Sequence, residues 1–205
     1  MNYSSKLIEN AVNEISKLPG IGRRAALRLS LFLLRIDPSH TISLAKALIE
    51  MRDKIKRCKE CFNLSDDDIC KICKNHNRDR KVICVVSDIR DVIAIENTSQ
   101  YRGIYHVLGG VISPLDGISP SDLFINQLIK KIIDNKDIEL IFALPATIEG
   151  ETTSFYIYKK VKDYTENITT IVRGISIDDD IEYADEVSLG RSIINRIPYE
   201  KDVKR

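Results

Sequence analysis

No stretch of this 205-residue chain approaches the ~18 uninterrupted apolar residues that a membrane-spanning helix needs. Residues Met1 to Lys17 interleave charge with apolar side chains and contain no secretory h-region. A cytoplasmic protein is therefore expected. Internal repeats and low-complexity tracts are absent, and so is the G-x-x-x-x-G-K-[ST] pattern of a nucleotide-binding P-loop. Net charge is nearly absent as well: 31 Lys/Arg against 30 Asp/Glu leave +1. What is present, 43% hydrophobic and 30% charged residues, is the composition of an ordinary globular protein, with room for one large domain or two small ones.

The small net charge conceals a polarity. Residues 1–57 hold 11 Lys/Arg and 5 Asp/Glu, residues 58–81 hold 6 and 5, and residues 82–205 hold 14 and 20. A basic end that meets a polyanion and an acidic end that does not is one reading; charge scatter among short segments is the other, and motifs must decide.

Leu7, Ile8, Val12 and Ile15 recur at helical spacing, so residues 4–16 read as an amphipathic helix. Leu18-Pro19-Gly20-Ile21-Gly22 interrupts it. Ala25, Ala26, Leu29, Leu33 and Leu34 line one face of a second helix, which stops near Asp37-Pro38. Ser39 or Thr41 is the expected cap of a third helix, with Leu44, Ala47, Leu48 and Met51 on its buried face. A cysteine segment at 58–73 and a polar, basic connector at 74–81 follow. From Lys81 onward strands (82–86, 104–108, 138–144, 168–172) alternate with helices through Val92, Leu128 and residues 150–163, with a Gly/Pro-rich loop at 109–120. Such alternation predicts a mainly parallel sheet with helices on both faces.

Cys58/Cys61 and Cys70/Cys73 form two C-x2-C knuckles separated by eight residues. Each knuckle turns two thiolates toward a common point, and two knuckles complete a tetrahedral site. Soft thiolates favour Zn²⁺, and four protein ligands leave no open position for catalysis, so one structural zinc ion is expected. Disulfides do not suit the cytoplasm, and a redox C-x-x-C needs only one pair. Cys84, inside an apolar strand, reads as a small core residue. His76 lies just beyond a set of ligands that is already complete, and His106 reads as a satisfied structural histidine.

The break at Gly20 and Gly22 leads directly into Arg23, Arg24 and Arg28. The first N–H groups of the helix after Gly22 lack intrahelical acceptors and can donate to a phosphate, while the arginines add formal charge at the same place. This is the logic of a helix-hairpin-helix, which grips the sugar-phosphate backbone without reading bases. A plain tight turn with solvated arginines is the alternative; the basic character of the whole segment favours nucleic acid.

The order of parts carries a resemblance. A Leu-Pro-Gly-Ile-Gly hairpin, a four-cysteine knuckle, Val82-Ile83-Cys84-Val85-Val86, Tyr105-His106-Val107-Leu108-Gly109-Gly110 and Ser113-Pro114-Leu115-Asp116-Gly117-Ile118 follow in sequence, reinforced by Glu149-Gly150-Glu151 and Glu182-Tyr183-Ala184-Asp185. Over roughly residues 3–195 this resembles the RecR family of bacterial recombination mediators, which work with RecO, and in some cases RecF, to help load RecA. The resemblance implies an α+β, multi-part chain. A helix-hairpin-helix region would span 1–56, a four-cysteine zinc-finger knuckle 57–80, an α/β Toprim domain with a mainly parallel sheet 81–175, and a C-terminal segment 176–205. It also implies a homo-dimer or a ring-shaped tetramer that can encircle DNA. The cysteines stand where the charge along the chain turns from basic to acidic, so the zinc knuckle is expected at the joint between the DNA-holding hairpin and the partner-facing domain.

Catalytic Toprim enzymes place a glutamate after the first strand and an Asp-x-Asp pair after a later one, to hold Mg²⁺ at a phosphodiester. By the resemblance those positions fall here on Ser87, with Asp88 beside it, and on Pro145 and Thr147. Relatives usually carry Glu where Ser87 stands. A non-catalytic Toprim fold is therefore expected. Glu149 and Glu151 keep acidic groups in the region; the resemblance assigns them RecO contact or weak Mg²⁺ binding, and the residues alone read equally well as the acidic first turn of a helix. Asp178-Asp179-Asp180 stands where relatives often have a Gly-Gly turn and reads as a solvated acidic turn. Two rivals remain: a Mg²⁺-dependent Toprim nuclease, primase or topoisomerase, which needs the missing carboxylates, and a zinc-dependent protein–protein adaptor, which would show no salt-dependent DNA binding.

Overall fold

The structure, a computed structural model, describes residues 4–135, 137–171, 182 and 185–194, with only the backbone of Val187 and Arg191. The acidic run Asp178–Asp180, Tyr183, Ala184 and the expected strand end at Val172 lie outside the described residues. The chain forms two compact units, Met1–Lys56 and Arg57–Arg205.

In the first unit, Ser5 caps helix α1 (Lys6–Ile15), and Gly22 stands at the N-cap of α2 (Arg23–Arg35). Between them Gly20 takes φ +79°, a left-handed value that glycine adopts without penalty, and the N–H of Ile21 closes the turn on the Leu18 carbonyl at 3.1 Å. Helix α3 (Pro38–Lys54) starts earlier than expected. Asp37, rather than Ser39 or Thr41, is its cap, accepting the Ser39 N–H at 2.8 Å, and Pro38 fills the first turn, where its missing N–H costs nothing.

The buried face expected for α3 is corrected. Only Val12, Ala26 and Ser30 are buried among the described residues of this unit. Leu44, Ala47, Leu48 and Met51 are all exposed, as are Leu29 and Leu34 on α2. Periodicity identifies an apolar face correctly but does not say whether the same chain covers it.

The second unit opens with a two-stranded ribbon, β1 (Lys56–Arg57) with β2 (Leu64–Ser65), and a one-turn helix α4 (Lys71–Lys74). Four strands then form one parallel sheet in the order β4-β3-β5-β6: β3 (Asp79–Val86), β4 (Gly103–Val107), β5 (Glu139–Ala143) and β6 (Ile168–Thr170). Helices α5 (Ile89–Asn97), α6 (Ile125–Ile133) and α7 (Ile148–Val161) cover its faces, and α8 (Glu186–Ile194) is the last described element.

Alternation along β3 divides the core. Ile83 and Val85 join Leu128, Ile132, Ile157 and Val161 from α6 and α7, whereas Cys84 and Val86 join Val92 of α5, Tyr105 and Ile72 of the cysteine segment. The parallel sheet with helices on both faces is thus the one that the alternating pattern predicts. The connector after the cysteines is pinned by Arg78, whose guanidinium forks onto Glu96 of α5 while Tyr105 donates to the same carboxylate.

Candidate functional site

The cysteine site is built by two tight turns. The N–H of Phe62 bonds the Cys58 carbonyl at 2.9 Å and that of Cys58 the Asn63 carbonyl at 2.8 Å, which folds the first knuckle back on itself. Cys70 caps α4, and its thiol accepts the Cys73 N–H at 3.4 Å; the N–H of Cys70 in turn reaches the Cys58 sulfur at 3.3 Å. All four sulfurs lie within 4.8 Å of one another, with Cys61 and Cys70 at 3.5 Å, and all four residues are buried. A tetrahedral ion with Zn–S bonds of ≈ 2.3 Å spaces its sulfurs ~3.8 Å apart, so this donor set fits a soft divalent metal. None of the five cysteines is in a disulfide. Hydrogen bonding among the sulfurs, with burial, pushes the Cys61 and Cys73 thiols up, and bonds from Cys61 and Cys73 pull Cys70 down. Four such groups are ionised together only beside a cation. His76 is exposed and stands outside the cluster.

The segment carrying these cysteines falls in the second compact unit. Strand β4 lies at the edge of the sheet, yet all five of its residues are buried. The knuckle covers that edge: the N–H of Val107 donates to the Cys61 carbonyl at 2.8 Å, occupying a group that an open edge leaves exposed. Phe62, held at φ +63°, stacks on Phe124 at 4.4 Å between ring centroids and meets His106 at 5.3 Å; Arg57 lies over Phe124 at 5.2 Å. A left-handed φ is unusual for a bulky residue, and the two ring contacts hold it there. Phe62, Phe124 and Lys131, which reaches the Glu60 carbonyl at 2.7 Å, carry no signal in the sequence pattern. An aromatic residue directly after a knuckle cysteine is the one clue available.

His106 is only half satisfied, which corrects the expectation of a fully partnered histidine. Its Nε2–H donates to the Phe124 carbonyl at 2.8 Å, and its buried Nδ1 has no partner. Burial, with the nearby Lys131 ammonium, lowers its pKa to about 4 against the opposing hydrogen bond to Phe124. Cys84 is the core residue expected, its thiol pushed up to about 12 by burial.

Strands β3 and β5 pair in register from Val82↔Glu139 to Val86↔Ala143, so Ser87 and the Pro145–Thr147 turn leave the sheet at the same, carboxyl end of the strands. Ser87 Oγ donates to Asp91 at 2.5 Å, and Asp91 also takes the N–H groups of Ser87 and Asp88 at 3.0 Å. Asp88 caps α5 and pairs with Arg90, which holds its carboxyl below the usual range against desolvation. Thr147 caps α7, accepting the Gly150 N–H at 3.2 Å, and Glu149 and Glu151 stand in its first turn. Both carboxylates beside Ser87 therefore serve as capping groups at the position where a metal-binding glutamate is expected. Gly150 fixes this end of the sheet, because a Cβ there would lie 2.1 Å from the Pro145 carbonyl oxygen. Gly150→Ala is expected to lower the urea midpoint, at a cost of about 1–3 kcal/mol.

At the hairpin, Gly22 has φ −77°, and a Cβ there would meet nothing within 4 Å. The fold itself therefore does not require glycine at this position. The N-terminus of α2 has no side-chain cap, and Arg23, Arg24 and Arg28 are exposed. Arg23 rests on Asn13 Oδ1 at 2.8 Å, a neutral partner that orients the guanidinium without cancelling its charge. Gly20, Gly22 and the three arginines are thus gathered at one turn and the helix it starts, in a different unit from the cysteines and from Glu149 and Glu151.

Family models match in the same order as these parts. They describe a RecR helix-hairpin-helix (residues 8–52), a RecR zinc finger domain of the four-cysteine type (55–75), a Toprim domain (81–172) and a RecR C-terminal region (174–197). The chain is 57% identical over 204 residues to the recombination protein RecR of Flavobacterium johnsoniae, covering 100% of this chain and 99% of that one. It is 53% identical over 197 residues to that of Parabacteroides distasonis, covering 96% and 95%, and 52% identical over 194 residues to that of Bacteroides thetaiotaomicron, covering 95% of each. With matches running from the hairpin through the knuckle and the parallel sheet to the C-terminal segment, the chain belongs to the RecR family.

Proposed function

We propose that this protein is a cytoplasmic, DNA-binding recombination mediator without an active site of its own, acting with RecO, and in some settings RecF, to promote RecA loading. The observation that carries the reading is the hairpin. An uncapped helix start beside Gly22, where added side-chain volume would meet only open space, is flanked by three exposed arginines in the basic end of the chain. Backbone N–H groups and guanidinium groups at such a turn grip phosphates with little sequence preference. Gly22 then serves the close approach of DNA. Arg23→Ala/Arg24→Ala is expected to weaken duplex binding uniformly across sequences and to reduce the slope of log K against log[salt] by about 2. An unchanged slope would remove the hairpin from the DNA interface.

Zinc is the metal we assign to Cys58, Cys61, Cys70 and Cys73, one ion per chain, with a structural role: it neutralises charge and fixes the knuckle. No step passes through it. Ser87, Pro145 and Thr147 lack the carboxylates of a Mg²⁺-dependent Toprim enzyme, and Asp88 and Asp91 are occupied as helix caps. Glu149 and Glu151, at the start of α7 in the acidic part of the chain, are the residues proposed for RecO contact or weak Mg²⁺ binding. Mg²⁺-dependent cleavage or primer synthesis by the pure protein, abolished by Glu149→Gln, would overturn the non-catalytic reading.

Self-association is supported by the first unit. Phe32, Leu34, Ile42, Leu48, Ile49 and Met51 are all exposed in a unit that buries only three side chains among its described residues. An isolated monomer rarely leaves so much apolar surface to water. We propose that a further copy covers these helices in a dimer or tetramer that encloses DNA, and enclosure retains DNA without a large net charge. The mass of the protein in solution checks this directly.

A further inference from the structure

Two cations of the α/β part reach into the cysteine knuckles. Lys131, on the last turn of α6, sends its Nζ 2.7 Å from the Glu60 carbonyl, across a separation of 71 residues. That carbonyl belongs to the peptide bond preceding Cys61, while the carbonyl of Cys61 itself accepts the Val107 N–H at 2.8 Å. Cys61 is thus held by hydrogen bonds on both of its peptide bonds. Arg80 does the same at the second knuckle, donating to the Cys73 carbonyl at 2.6 Å.

Half-burying an ammonium costs free energy that one neutral carbonyl does not offset. Four thiolates around a divalent ion carry a formal charge of −2, which is the compensation an ammonium at this place requires. Burial draws the Lys131 amine down, and the charges of Cys73, Cys61, Glu60 and Cys58 oppose it. Arg80 shares its charge with the Glu60 carboxylate at 3.3 Å and is about half exposed, so Lys131 is the less screened of the two.

We propose that Lys131 is a positioning residue of the metal centre: it fixes Cys61 through the Glu60 carbonyl and counters the charge of the metal–thiolate cluster, so that metal retention depends on a side chain of α6, about sixty residues beyond the last ligand. The inference rests on reading the cysteines as a zinc site. Groups that hydrogen-bond around metal ligands commonly contribute 10- to 100-fold to metal affinity, so the effect is readable as a rate of metal loss.

The test is zinc transfer from the full-length protein to a chromophoric chelator, for the natural chain, Lys131→Met, Lys131→Gln and Lys131→Arg, each checked for folding by circular dichroism. Lys131 lines an open cleft of about 430 Å³ with Ile83, Ile104 and Asn135, which leaves room for each replacement. Lys131→Met is expected to lose zinc about 10-fold faster, Lys131→Gln at an intermediate rate because it keeps a donor without the charge, and Lys131→Arg near the natural rate. If Lys131→Met does not fold, faster loss from Lys131→Gln than from Lys131→Arg supports the proposal, and equal rates overturn it. A folded Lys131→Met that releases zinc at the natural rate also overturns it. Absence of zinc from the natural chain instead sinks the zinc reading itself, so the two failures are distinguishable.

Discussion

Cys70→Ser protein is expected to purify without metal and to aggregate, and the natural chain to purify with one zinc ion. Binding of a structural zinc at such a site is worth roughly 10–16 kcal/mol, against roughly 5–15 kcal/mol for the whole stability of a typical domain. The metal term is therefore large enough to decide whether the unit folds. The damage does not stay in the knuckle, because the knuckle covers the β4 edge through the Val107–Cys61 bond, contributes Ile72 to the core beneath α5, and stacks Phe62 on Phe124. Releasing it uncovers a parallel edge strand whose residues are all buried, and such edges pair with other chains. Metal content by elemental analysis and solubility after chelation check this. A soluble, fully folded Cys70→Ser protein, with no metal in either form, would end the structural-zinc account.

Acidification is expected to destabilise the second unit through His106. Folding keeps this imidazole neutral, with its pKa lowered from 6.5 to about 4. Protonation would place a new N–H at Nδ1, where no acceptor is available. The unfolded chain takes up the proton first as pH falls, so the contribution is complete above pH 6.5 and is lost progressively down to pH 4. Over that window the loss is about 3 kcal/mol, at 1.36 kcal/mol for each pH unit. Thiolate protonation also releases metal in acid, so the measurement is a difference between chains. Urea midpoints of the natural chain and of His106→Gln, which retains an N–H for the Phe124 carbonyl, are expected to converge as pH falls from 7 toward 4. Parallel curves would show that His106 does not titrate between the folded and unfolded states.

The sequence made the chemistry of this protein more legible than its packing. Two C-x2-C pairs announce a common sulfur site because ligand spacing is a local property, and the structure brings the four sulfurs together. The alternation of apolar strands with helices translates directly into the parallel sheet, because a strand buried on both faces has few other readings. Long-range partners left no such mark. Lys131 and Phe124 look like an ordinary helical lysine and an ordinary loop phenylalanine until the fold sets them against Glu60 and Phe62. Asp88, beside the Ser87 position, looks available to a metal until the start of α5 takes it as a cap. Helix α3 shows the opposite error: its apolar face is real, and Leu44, Leu48 and Met51 on it are exposed. Amphipathicity gives the direction of a face and not the identity of what covers it.

In the function proposed above, the exposed helices and the uncapped hairpin retain DNA, and the occupied carboxylates leave it unaltered. The most direct test loads the protein onto closed circular DNA and onto the same DNA linearised, with Mg²⁺ present, followed by a high-salt challenge. Retention on the circle, loss from the linear form and intact DNA in both are the predicted result. Equal loss from circle and line, or nicked and cleaved DNA, would contradict the account.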